Sequence, residues 1–195
     1  MVLADGIAKD MKKLTNKQIA IVVGHEVGGG SKGEREYQCK VASHMEDLLE
    51  DLGASVYVHT HTIKAYDVRQ RIMRREVLTN LPNSDCTIEL HYNSFDLESA
   101  NGHEFFYRGA QGLAECFRDE WQAAFPNSVA RRSNGIEKRT RGDGAGFLKH
   151  SPSWACLVEP FFESNDDEWD FFKDKHLEVA EVYVRAIARF LTKSN

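Results

Sequence analysis

The chain has 195 residues, 42% hydrophobic and 28% charged, long enough for one domain with a sizeable core and ordinary for a globular protein. Its formal net charge of −5 argues against a dedicated nucleic-acid binder, which carries a basic surface. No apolar run is long enough to cross a bilayer, and residues 1–18 lack the continuous apolar stretch of a signal peptide. Neither stable membrane insertion nor the general secretory route is therefore expected.

Residues 19–23, IAIVV, predict a buried strand that stops at Gly24 and His25; the glycine-rich loop VGGGSKG follows. Residues 34–52 predict a helix ended by Gly53. A second strand is expected over 54–58, and a charged helix over 68–81, stopped by Pro82. Strands are expected over 86–93 and 104–107. Leu113, Phe117, Trp121 and Phe125 recur every four residues and predict a helix before Pro126. Residues 129–153, polar and punctuated by Gly135, Gly142, Gly144 and Gly146, read as a long loop carrying short elements. Residues 156–162 predict a strand whose regular pairing ends near Pro160, and residues 169–191 one long final helix. Strands alternating with helices predict an α/β fold layered around one central sheet. One domain is expected over 1–195, its core within about 19–192, with no repeat and no second binding module.

The four cysteines, Cys39, Cys86, Cys116 and Cys156, form no CxxC pair. Cys86 and Cys156 open apolar strands, where a small hydrophobe fits, so buried free thiols are expected. Arg131, Arg132, Lys138, Arg139 and Arg141 form one local basic cluster, either a solvated loop or a substrate contact.

Three of the apolar strands end in residues suited to catalysis or ligation: Gly24-His25, His91-Tyr92-Asn93, and Glu159 after Leu157 and Val158. In open α/β sheets, sites form beyond the carboxyl ends of the strands, so residues far apart in sequence can converge there. The helix adds a further candidate. Tyr37, Val41, Met45, Leu48, Leu49 and Leu52 form its apolar face. At about 100° per residue, Glu34 falls within that face and Glu36 roughly opposite, toward water. A carboxylate on a buried face is costly unless it is paired or binds a metal. Two histidines and a glutamate suit a catalytic zinc site, which keeps a fourth position open. Glu159, a carboxylate outside the ligand set, could then accept and return a proton. Each piece also has a plainer reading. A strand-end histidine is commonly just hydrogen-bonded, and Glu34 alone could be a helix N-terminal charge favoured by the dipole. GHEVGGGSKGE suggests a phosphate cradle but lacks the G-K-[ST] ending of a P-loop.

In combination these residues resemble the zinc-dependent N-acetylmuramoyl-L-alanine amidases of the amidase-3 type, over about residues 19–191. That family opens with a strand ending in Gly-His, a glycine-rich loop and a glutamate starting a helix, here Gly24-His25, VGGGSKG and Glu34. A motif like S-x-H-x-N appears as ELHYNS, with His91 and Asn93; one like G-x-E-x-x-Y appears as GHEFFY; one like L-V-E-x-x-F-x-S-N appears as LVEPFFESN. The resemblance implies a single mixed central β-sheet flanked by helices. It implies one Zn2+ held by His25, Glu34 and His91, with Glu159 as general acid/base. The implied reaction is hydrolysis of the amide between N-acetylmuramic acid and L-alanine in peptidoglycan. Asn93, His103, Arg139 and Arg141 are the candidate substrate contacts.

The chain departs from the family pattern at three places. Glu89 stands where serine is common, Glu26 follows His25 in place of glycine, and His59-Thr60-His61 ends the second strand where arginine is frequent. His59 and His61 would share a strand face, as a solvated pair or a stray metal pair. A compact catalytic domain without a leader or wall-binding module resembles a phage or prophage endolysin. Such an enzyme is held in the cytoplasm until released to the wall, and a monomer is expected. The competing readings are a zinc peptidase or other amidohydrolase on wall peptides, and an inactive wall-binding relative that keeps the fold.

Overall fold

The computed structural model describes residues 13–25, 30, 31, 33–60, 83–132, 134–151 and 154–193. The helix expected over 68–81, Glu26 and His61 lie outside the described residues. Six strands, β1 (Gln18–Val23), β2 (Ser55–Thr60), β3 (Cys86–Leu90), β4 (Glu104–Tyr107), β5 (Ile136–Lys138) and β6 (Trp154–Glu159), form one sheet in the order β2-β1-β3-β6-β4-β5. β2, β1, β3 and β6 run parallel; β4 is antiparallel to β6 and parallel to β5. The sheet is thus mixed. Among the described residues five helices accompany it: α1 (Glu34–Asp51), α2 (Gln111–Ala124), α3 (Ala145–His150), α4 (Asp166–Phe172) and α5 (His176–Lys193).

Strand alternation sorts the core into two layers. Ile19, Ile21, Val23, Ile88, Leu90, Phe105 and Val158 belong to the larger cluster. Into it α1 sends Val41, Met45 and Leu49, α2 sends Phe117 and Trp121, and α5 sends Val179, Tyr183 and Ile187. Burying each of these large side chains contributes roughly 1.5–3 kcal/mol. The intervening strand positions Val22, Phe106, Ala155 and Leu157 meet Phe147 and Leu148 of α3 in a second, smaller cluster. α1 has the phase its sequence predicts: Glu34, Tyr37, Val41, Met45 and Leu49 are buried, and Glu36 is exposed. It ends as expected, with Gly53 at a φ of 88° supplying the left-handed turn.

Two elements differ from the sequence expectation. The final helix is two, because the chain breaks over residues 173–175. The Phe172 carbonyl accepts from the Tyr37 hydroxyl (3.1 Å) and from the Lys175 N–H (2.9 Å), which takes it away from a continuing helical ladder. α4 also starts early, because the Asn165 side chain accepts from the Glu168 N–H at 3.0 Å and caps it. As a regular strand β3 ends at Leu90; beyond it the backbone still bonds to the β6 side, and Asn93 forms an isolated bridge with Phe162. β6 ends before Pro160, and residues 129–153 carry β5 and α3. Cys86, Cys116 and Cys156 are buried free thiols, while Cys39 is half-buried and also free.

Candidate metal centre

β1, β3 and β6 are adjacent and parallel, so their carboxyl ends lie side by side on one edge. The ladder runs one step past the strands: Gly24 N–H donates to Leu90 O (2.9 Å) and His91 N–H to Val158 O (3.1 Å). His25, His91 and Glu159 therefore leave the sheet at nearly one level. His25 turns out of the strand with a φ of 59°, a left-handed conformation that a non-glycine residue adopts at a cost.

Two glycines make room. A Cβ on Gly24 would lie 2.2 Å from Cε1 of His91, so only glycine lets that ring lie over the β1 backbone. A Cβ on Gly30, itself at a φ of 78°, would lie 2.6 Å from Cδ2 of His25 and 2.8 Å from Oε2 of Glu34.

Glu34, 2% exposed, sits between the two rings. Its Oε1 is 3.3 Å from His25 Nε2 and 3.1 Å from His91 Nδ1, and accepts the Tyr92 N–H at 3.2 Å. Its Oε2 accepts from the Ser31 N–H and the Ser31 hydroxyl, both at 3.1 Å. The imidazoles stand edge to face, 4.7 Å apart at 89°. One ligand atom from each of His25, Glu34 and His91 lies within 4.8 Å of the others. Two nitrogens and a carboxylate oxygen at this spacing, with rings fixed by glycine cradles, fit a divalent transition metal.

The electrostatics agree with that reading. Burial alone would raise Glu34, but the hydrogen bonds to His25 and His91 outweigh it and hold the carboxyl far below the usual range. His91 is opposed by its burial yet is pushed up to about 10 by Glu34 and Glu89. Carboxylate and imidazole thus each favour the charged form of the other, and a divalent ion bound between them would take the place of a proton.

Glu159 is half-buried at the end of β6. Burial pushes its carboxyl up to about 7, with His91 pulling it down and Glu104 pushing it further up. Glu104 is its cross-strand partner on β4. Glu104 is itself neutralised by Arg132, by Arg131 at 3.4 Å, and by a hydrogen bond from Asn93 Nδ2 at 3.1 Å. Sequence reasoning placed Asn93 here but passed over Glu104, although it is the acidic residue of GHEFFY. Ser31 was also missed. Its signal is the S-x-x-E spacing from Ser31 to Glu34, although Gly33 and not Ser31 is the N-cap of α1.

The other candidates divide. Arg139 lies with its guanidinium 3.3 Å over the Phe106 ring, donates to Asp143 O at 3.2 Å, and lowers Glu159 through its charge. Arg141 is exposed, and among the described residues no contact ties it to the centre. His103 does not face the cleft: it is fully buried, with Nδ1 2.9 Å from Ser128 Oγ. Alternation explains the correction, since Glu104 points to the Glu159 side and His103 to the other, against Phe105. His59 lies on β2, and no metal-holding group other than His25, Glu34 and His91 occurs among the described residues.

Solved structures of similar architecture include several amidases. The catalytic domain of the CD27L endolysin targeting Clostridia difficile is 23% identical, with a TM-score of 0.72, covering 89% of this chain and 98% of that one. The CwlD amidase of Clostridioides difficile, solved in complex with the GerS lipoprotein, is 20% identical with a TM-score of 0.76, covering 92% and 100%. The amidase Ami1 of Mycobacterium smegmatis is 16% identical with a TM-score of 0.74, covering 94% and 100%. At these identities the likeness establishes the fold. No curated protein matches the sequence. Residues 19–189, nearly the whole described fold, match the N-acetylmuramoyl-L-alanine amidase family of the amidase-3 type, and the chain belongs to that family of peptidoglycan hydrolases.

Proposed function

We propose that this amidase is zinc-dependent, with His25, Glu34 and His91 holding one Zn2+ and Glu159 serving as its general acid/base. The observation that carries the reading is the convergence of three ligand-type atoms within 4.8 Å at the carboxyl edge of the sheet. When bound, the ion supplies Lewis acidity, polarising a carbonyl and making water a nucleophile at neutral pH.

The protein's own groups supply the rest. Glu159, with a carboxyl near 7, is suited to accept a proton from the attacking water and return it to the leaving nitrogen. A cation nearby favours the carboxylate, the form that accepts. The bond broken is the amide from the lactyl carbonyl of N-acetylmuramic acid to L-alanine. Water adds to the carbonyl carbon, the C–N bond breaks, and the nitrogen leaves as the amine of alanine. Glu104, ion-paired with Arg131 and Arg132, stands beside Glu159 on the neighbouring strand. Asn93 and Arg139 lie on this side of the sheet and are the residues we assign to substrate; Arg141 would reach only a long substrate from its exposed loop. The role fitting such an enzyme is host lysis or wall remodelling, by a monomer held in the cytoplasm until it reaches the wall.

The test is metal analysis joined to activity on purified peptidoglycan. One zinc per chain, with activity lost to a chelator and restored by zinc, is the expected result. Full activity in thoroughly metal-free protein would refute the zinc assignment.

A further inference from the structure

Glu89 is fully buried in the middle of β3. Its register neighbours are Val22 on β1 and Leu157 on β6, both apolar and both buried. A carboxylate among such neighbours is costly unless a partner compensates it. His91, two residues on and so on the same face of the strand, supplies one: its Nε2 lies 3.7 Å from Glu89 Oε1. A carboxylate thus stands at each end of the ring. Nδ1 faces Glu34 at 3.1 Å and Nε2 faces Glu89. Gly24, which has no Cβ, lets the ring lie close over the β1 backbone.

An imidazole has two distinct nitrogens, and the partner of one decides what the other can do. A carboxylate at Nε2 keeps the proton there and leaves the lone pair on Nδ1, the nitrogen on the Glu34 side.

We propose that Glu89 is a positioning residue of the metal centre, accepting the Nε2–H of His91 and so committing Nδ1 to the ion. The inference rests on the metal reading given above. It assigns Glu89 no contact with substrate or ion, since it lies on the far side of the ring from Glu34. Outer carboxylates of this kind raise the basicity of the ligating imidazole, and their loss typically costs about 10- to 100-fold in metal affinity.

The test compares zinc affinity in the parent, Glu89→Ala and Glu89→Gln, by competition against a chromophoric chelator. The Ala variant is expected to bind zinc about 10- to 100-fold more weakly. Gln, whose amide oxygen still accepts, should lose less, and circular dichroism of both metal-free variants should match the parent. A second measurement reads the tautomer: long-range 1H–15N spectra of the zinc-loaded parent should show His91 protonated at Nε2. An Ala variant with the parent's affinity, or a parent with His91 protonated at Nδ1, would overturn the inference. Should the Ala variant not fold, the Gln affinity and the tautomer decide. A parent that binds no zinc would bring down the metal reading itself; a parent that binds zinc as tightly as its variants would bring down only the role of Glu89.

Discussion

Gly24 offers the sharpest perturbation of the centre that leaves every polar group in place. Its φ is not in the left-handed region, so Gly24→Ala imposes no backbone strain. What it adds is one methyl group, 2.2 to 2.5 Å from Cε1, Nε2 and Nδ1 of His91. Ordinary contact begins near 3.4 Å, so the ring must move by about 1 Å or the strand must yield. Overpacking of this size costs about 1–3 kcal/mol, and a displacement of about 1 Å in a reacting site costs about 10²-fold in rate. The expected variant is folded, melts a few degrees lower, binds zinc more weakly and has lost about two orders of magnitude in activity. Gly146→Ala is the control, since a Cβ there meets nothing within 4 Å; it should behave as the parent. Melting curves, zinc titration and turnover on purified peptidoglycan read the three effects separately. A Gly24→Ala variant with the parent's zinc affinity and rate would show that His91 does not need its position over β1.

The two glutamates of the first turn of α1 should separate cleanly in zinc content: Glu34→Ala loses metal and hydrolysis, while Glu36→Ala, exposed to solvent, changes neither. Glu159→Gln should retain zinc and fold while losing about 10²-fold or more in rate; a variant that lost its zinc would make Glu159 a ligand. His103 predicts an acid dependence of stability. Burial, then the charge of Arg118, lowers its pKa from 6.5 to about 4, so between those values the unfolded chain binds a proton that the folded chain does not. Its contribution is therefore fully present above about 6.5 and is lost as pH falls toward 4, amounting to about 3 kcal/mol. Urea unfolding from pH 7 to 4 should show a steeper loss in the parent than in His103→Gln, and equal slopes would contradict the assignment.

Much of the site was legible because it rests on periodicity and on strand ends. Glu34 and Glu36 were separated by a helical wheel, and the burial of the two residues follows it. His25, His91 and Glu159 could be placed together because parallel strands end on one edge, a consequence of topology and not of sequence distance. GHEFFY offers both His103 and Glu104, but strand alternation puts the two on opposite faces, and the motif alone does not say which of them reaches Glu159. The break between α4 and α5 carries no glycine or proline. It depends on a hydroxyl from Tyr37, 135 residues away in sequence, reaching the Phe172 carbonyl, and no local pattern encodes such a contact. The turn that brings Arg131 and Arg132 to Glu104 uses left-handed Arg132, Asn134 and Gly135. Only the asparagine and glycine advertise that conformation.

Which bond is cut tests the account most directly. Purified peptidoglycan digested with the zinc-loaded protein should gain amino termini on L-alanine and free lactyl carboxylates on muramic acid, with glycan strands left long and no new reducing ends. New termini at D-alanine or at the diamino acid would identify a peptidase, and new reducing ends a glycosidase; either result would contradict the amidase mechanism built on His25, Glu34, His91 and Glu159.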